Sequence, residues 1–177
     1  VRLLPRIGID ESQRARAGSF SRGFMAQAGT PYAMEFERFL SPMGYPCHAP
    51  PWGKLAAVDL DTRKVLWEHP LGTTRDHAPL GIAVAGVFSQ GGAAVTQGGV
   101  VFIGATLDHY LRAFDLGTGQ ELWKGRLPAG GQATPMTYVS ERTGKQYVVI
   151  AAGGHQTMQT TTDDYVIAYA LPDRAQQ

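Results

Sequence analysis

An eleven-residue phrase occurs twice in this chain: Ala57-Val58-Asp59-Leu60-Asp61-Thr62-Arg63-Lys64-Val65-Leu66-Trp67 and Ala113-Phe114-Asp115-Leu116-Gly117-Thr118-Gly119-Gln120-Glu121-Leu122-Trp123. Alanine, aspartate, threonine and tryptophan recur at the same relative places, with an offset of 56 residues from position 67 to position 123. A repeat of that length built of short strands cannot bury both faces of one sheet alone, so four-stranded sheets must stack on one another. Each copy reads as a hairpin: an apolar run ending in Ala-x-Asp, a tight turn capped by the aspartate, and a return strand ending at Trp. The tryptophan is expected to wedge between adjacent sheets as a docking peg and to contribute about 3 kcal/mol or more of burial.

The fold class this predicts is all-β: a partial β-propeller of about three four-stranded antiparallel blades. Its glycines and prolines punctuate short strands rather than long apolar-periodic helices. Residues 1–69 are expected to form a partial blade, with strands at Val1–Leu4, Pro31–Phe39, Lys54–Leu60 and Lys64–His69. Within it, 6–29 is read as a polar insertion holding at most a short helix. Residues 93–127 form a full blade, with strands at Ala93–Thr96, Val100–Gly104, Tyr110–Leu116 and Glu121–Leu127. Residues 134–171 form a closing blade with strands at Thr134–Tyr138, Gln146–Ala152 and Tyr165–Leu171, one short of four, so that its edge is left for a partner strand.

In an up-and-down blade, the first-to-second and third-to-fourth connections share one face, and the remaining connections share the other. The first face then receives tight turns at Thr62, Gly98, Gly117 and Glu141–Lys145. The second receives the long loops Leu40–Gly53, Pro70–Gly92, Ala105–His109, Pro128–Ala133 and Gly153–Asp164, which carry His48, His77, His109 and His155, with His69 at the edge. Long polar loops gathered on one side of a rigid scaffold are where binding chemistry belongs. Of these histidines His155 stands out, because Gly153 and Gly154 before it let backbone approach a ligand closely.

Composition narrows the function classes. A formal charge of +1 gives no reason to expect a nucleic-acid partner, and the arginines at 2, 6, 14, 16 and 22 read as a solvated loop. Cys47 stands alone, so no internal disulfide is possible. No run of 18 apolar residues occurs to span a membrane, and no apolar leader core opens the chain. The motifs of zinc proteases, zinc ribbons, nucleotide hydrolases and serine hydrolases are all missing, and no metal site is expected; Asp76, Asp163 and Asp164 read as turn formers.

The repeat phrase resembles the tryptophan-docking motif of the quinoprotein dehydrogenases, β-propeller enzymes that use pyrroloquinoline quinone (PQQ). Pro50-Pro51-Trp52-Gly53, the run Gly125-Arg126-Leu127-Pro128-Ala129-Gly130-Gly131-Gln132-Ala133-Thr134-Pro135-Met136-Thr137-Tyr138, and Gln146 to His155 resemble the carboxy-terminal end of the membrane-bound glucose, quinate and shikimate dehydrogenase group. The resemblance covers nearly the whole chain but only the last part of a longer family sequence. It implies oxidation of an aldose or cyclic polyol, with electrons passing from PQQ to ubiquinone at the periplasmic face of the bacterial inner membrane. It also implies that membrane helices, the catalytic aspartate and the Ca²⁺ ligands lie outside this chain, so that the fragment by itself is catalytically silent.

By match to Gly-Ala-Thr-x-Asp and Ala-Gly-Gly-His, the resemblance makes Asp108, Gly154 and His155 the cofactor-binding candidates; no catalytic residue is assigned. A carboxylate beside an anionic cofactor is costly, so Asp108 is expected to orient a cationic residue from a missing blade. Two departures stand out. Gln156 to Asp164 replaces the glycines and lysine that usually follow Gly-Gly-His, and Arg63 stands where the repeat wants glycine, which predicts a different turn type. The competing class is a propeller scaffold that keeps the Trp pegs, binds partner proteins and holds no PQQ.

Overall fold

The computed structural model describes residues 2–5, 22–26 and 29–172. The chain divides into two compact units, Val1–Ala49 with Gln156–Gln159, and Pro50–His155 with Thr160–Gln177. Every paired strand among the described residues is antiparallel. The only helical turns there are two short 3-10 turns at Pro79–Gly81 and Gln156–Met158, and no helix is long and apolar enough to cross a membrane.

In the first unit β1 (Arg2–Pro5), β2 (Arg22–Ala26) and β3 (Tyr32–Glu37) form one sheet in the order β1-β3-β2. This corrects the reading of 6–29 as an insertion with at most a short helix. Its end is a strand paired with β3 from Arg22↔Glu37 to Ala26↔Ala33. Cross-strand pairing with an existing partner overrides the weak local pattern of Arg-Gly-Phe-Met-Ala. The arginines at 6, 14 and 16 lie outside the described residues.

The second unit holds three sheets. A hairpin joins β4 (Lys54–Asp59) to β5 (Lys64–Pro70). A four-stranded sheet follows in sequence order, β6 (Ala93–Val95), β7 (Val100–Ile103), β8 (Tyr110–Asp115) and β9 (Glu121–Arg126). The last sheet has β10 (Met136–Val139), β11 (Gln146–Ala152) and β12 (Tyr165–Ala170), with β12 at its edge and Val166 exposed there.

The four-stranded sheet is a middle layer, which period-2 alternation on β7 makes possible. Val101 and Ile103 turn one way and pack with Leu71, Ala105 and Phe114, against which Leu55 of the hairpin rests. Phe102 turns the other way, toward the cluster of Leu111, Leu127, Ala129, Val148, Ile150 and Ala152 shared with the last sheet. Burial on both sides explains why Leu111 to Phe114 of β8 are all buried.

The repeat has a mechanical meaning. In both copies the ladder slips one residue just after the alanine opposite the tryptophan, at Ala57/Val58 and at Ala113/Phe114. Asp59 Oδ1 accepts from the Asp61 and Thr62 amides, and Asp115 Oδ1 from the Thr118 amide and hydroxyl. Trp67 then docks on the next copy: its Nε1 donates to the Leu116 carbonyl at 2.8 Å, and its ring covers Gly119.

Two expectations change. Arg63 takes φ +58, in the same left-handed region as Gly119 at φ +73, so the turn keeps its shape and the arginine carries the strain. Trp123 meets Tyr169 edge-on at 5.0 Å yet remains 40% exposed, so in this chain it is only partly wedged. Trp67, half-buried and hydrogen-bonded to the next copy, is the better docked of the two, though neither indole is fully buried.

Candidate functional site

The antiparallel order sends the β6–β7 and β8–β9 turns to one end of the middle sheet, where the Leu116 amide donates to the Gly99 carbonyl at 2.8 Å. At the other end four loops are laced together through residues of the second unit. Thr73, at the start of the 71–92 loop, gives its amide (2.8 Å) and hydroxyl (3.0 Å) to Asp108 Oδ2. His77 Nε2 lies 3.1 Å from the Leu107 carbonyl, and the Gln90 amide donates to Ala105. The 128–133 loop joins through the Ala105 amide, which donates to the Gly131 carbonyl at 2.7 Å. The 153–164 loop joins it in turn through Gly154 N to the Gly130 carbonyl and Gly130 N to the Thr161 carbonyl. His77, His109 and His155 thus belong to one connected set of loops. His48 belongs to the other unit.

Asp108 is fully buried, and its partner is not in a missing blade. Arg112 of β8 binds both carboxylate oxygens, Thr106 Oγ1 donates to Oδ1 at 2.6 Å, and Thr73 closes Oδ2. Burial by itself would raise this carboxyl. The Arg112 hydrogen bonds and charge, with the Thr106 and Thr73 donors, outweigh it and hold the group below the usual carboxylate range. Arg112 Nε continues to Glu121 at 3.2 Å, and Glu121 to Lys124 at 3.3 Å. With both oxygens occupied from within the chain, Asp108 staples the loop rather than offering a free acceptor.

That staple holds a strained segment. Ala105 and His109, on either side of it, sit at φ +66 and +52, which costs about 1–2 kcal/mol each for residues with a side chain. His109 is buried with its Nε2 unpaired. Burial and then the Arg126 charge push its pKa down, so the folded state resists the proton that the unfolded chain accepts near pH 6.5. Its stability contribution is complete above that pH and is lost as pH falls. In the full-length protein the denaturation midpoint should therefore drop between pH 7.5 and 5. His109→Asn, which tolerates the left-handed backbone, should flatten that dependence; an equal drop in the variant rules this source out.

His155 is half-buried, and its Nδ1 is a second buried ring nitrogen without a partner. Its own amide donates to Thr160 Oγ1 at 2.9 Å. Gly154, at φ +71, packs so tightly that a Cβ would lie 2.3 Å from the Thr161 carbonyl oxygen. A side chain there has no room.

The residues that join the candidates were not singled out from the sequence: Arg112, Gln132, Thr106 and Thr160. Gln132 lay inside a recognised motif, and a charged residue at an interior position of β8 was a legible signal for Arg112. Thr160 gave none. Among the described residues no three His, Cys, Asp or Glu side chains are grouped so as to hold a metal ion.

Residues 1–148 match the family described as PQQ glucose/ethanol/alcohol dehydrogenase, β-propeller domain. The chain is 55% identical to a probable quinate dehydrogenase (quinone) of Xanthomonas campestris pv. juglandis, over 85% of this chain and 20% of that protein. It is 49% identical to quinoprotein glucose dehydrogenase A of Acinetobacter calcoaceticus, over 97% of this chain and 22% of the relative. The solved quinohemoprotein alcohol dehydrogenase of Comamonas testosteroni shares the fold, with a TM-score of 0.51 and 23% identity over 95% of this chain and 22% of its own. The chain thus spans about a fifth of the length of the curated relatives it matches. Its docking repeat, its stacked antiparallel sheets and the match over residues 1–148 agree: the chain belongs to the PQQ-type glucose/ethanol/alcohol dehydrogenase β-propeller family.

Proposed function

We propose that this chain forms one wall of the PQQ site of a quinone-linked dehydrogenase that oxidises an aldose or a cyclic polyol of the glucose, quinate or shikimate type. The observation that carries the reading is the buried, unpaired Nδ1 of His155, which directly follows Gly154, a position with no room for a side chain. An acceptor-rich planar acid supplies the hydrogen-bond partner such a nitrogen lacks. When bound, PQQ is the two-electron acceptor.

The chain's own contribution is orientation. His155 offers a hydrogen bond to the cofactor, Gly154 lets the backbone before it pack against Thr161, and Asp108, through Arg112, Thr73 and Thr106, keeps the wall in shape. The base that takes the substrate proton, the Ca²⁺ ligands, the membrane helices and the contact with ubiquinone belong to the rest of the longer protein. On this reading that protein works at the periplasmic face of the bacterial inner membrane.

In the full-length protein, apo-enzyme supplied with PQQ and Ca²⁺ should reduce an artificial acceptor with an aldose or cyclic polyol as donor. His155→Ala should weaken PQQ binding by about 1–3 kcal/mol, roughly 5- to 150-fold in Kd. Residues 1–177 alone should show no turnover. A full-length protein that folds but binds no PQQ supports the scaffold reading instead.

A further inference from the structure

The segment after His155 folds back on the 128–133 loop through a run of buried side-chain hydrogen bonds. Thr160 is buried, as is Gln132 in the neighbouring loop. Thr160 Oγ1 accepts from the His155 amide at 2.9 Å and donates to Gln132 Oε1 at 2.9 Å. Gln132 Nε2 then donates to the Thr106 carbonyl at 3.1 Å, and Thr106 Oγ1 donates to Asp108 Oδ1. Each side-chain group in this run has one donor role and one acceptor role filled, so the amide of Gln132 has one orientation that satisfies both ends. A Cβ on residue 130 would lie 2.3 Å from Thr160 Oγ1 and 2.4 Å from Gln132 Oε1, so the backbone of the 128–133 loop makes room for the pair.

Resting on the cofactor reading above, we infer that Thr160 and Gln132 are positioning residues: they lock the main chain of His155 to the Asp108 staple, so that the imidazole is already placed before the cofactor arrives. The physical benefit is preorganisation, since a ring already held in place loses less freedom when it binds.

The test uses the full-length protein with Thr160→Val, which keeps the shape and removes the hydroxyl, and Thr160→Ser, which restores it. In the apo-protein, Thr160→Val should speed hydrogen exchange of the His155 amide at least tenfold, and Ser should reverse most of that. PQQ titration should show Kd raised about tenfold by Thr160→Val, the usual effect of leaving buried partners unpaired, and returned to within threefold by Ser. Gln132→Met should weaken PQQ similarly. In a His155→Ala background, Thr160→Val should change Kd less than twofold, because the residue acts through the missing ring.

Equal effects in the two backgrounds overturn the inference, as does faster amide exchange with no change in Kd. So does a Kd loss that Ser fails to rescue. If the unsubstituted full-length protein binds no PQQ, the cofactor reading itself falls, whatever Thr160→Val does to exchange.

Discussion

Arg112→Ala in the full-length protein should lower unfolding stability by about 3–5 kcal/mol, the cost of leaving one member of a buried ion pair without the other. Asp108 would keep its Thr73 and Thr106 donors but lose the cation that offsets its complete burial. Replacing both partners by apolar residues, Asp108→Leu with Arg112→Met, should cost less than Arg112→Ala alone, because no charge is then stranded. The pH dependence has a definite sign. The Asp108 carboxyl is depressed in the folded state, so its contribution is present above the unfolded value near 3.9 and disappears as pH falls through the lower folded value. Denaturant titrations of the three proteins at neutral pH decide the matter. A loss below about 1 kcal/mol for Arg112→Ala would mean the pair is solvated in the full-length protein.

Gly119→Ala should destabilise by about 2–4 kcal/mol, through a left-handed backbone penalty and overpacking together. The added Cβ would lie 2.6 Å from Trp67 Cδ2 and 2.7 Å from His69 Cδ2, so the indole must lift and its bond to Leu116 must break. Arg63→Gly is the control, at the equivalent place in the other copy. It should be neutral or stabilising by up to about 1 kcal/mol, because it removes the left-handed strain. If thermal midpoints show Gly119→Ala harmless, Trp67 is not a docking peg.

Strand positions were legible to within about two residues through most of the second unit. Alternation at Val100–Ile103 and the Asp-Thr turns are local signals, written in neighbouring residues. Strand β2 was not legible, because Arg-Gly-Phe-Met-Ala becomes a strand only against β3. The turn at Arg63 was misread for a related reason: capping by Asp59 holds the left-handed conformation that the side chain alone disfavours.

At the candidate site, motif residues such as Asp108 and His155 were visible as types at recognisable spacing. The identity of Asp108's partner was not. A buried carboxylate announces that a cation must exist, and sequence does not say from which strand it comes; the packing of β8 between two sheets brings Arg112 there. Thr160 and Gln132 meet across 28 residues, a contact made by loops whose geometry is set by the sheets they leave.

By itself, then, the sequence determined the repeat, the antiparallel hairpins with their capped turns, and the family, because periodicity, turn chemistry and motif spacing are properties of short stretches. The tertiary structure alone decided which polar groups close on one another: that Asp108 is saturated within the chain, that His155 and His109 keep an unpaired ring nitrogen, and that Thr160 ties the His155 backbone to Gln132. Hydrogen bonds between loops depend on distances and angles that stacking of whole sheets imposes, and no local pattern of residues encodes those.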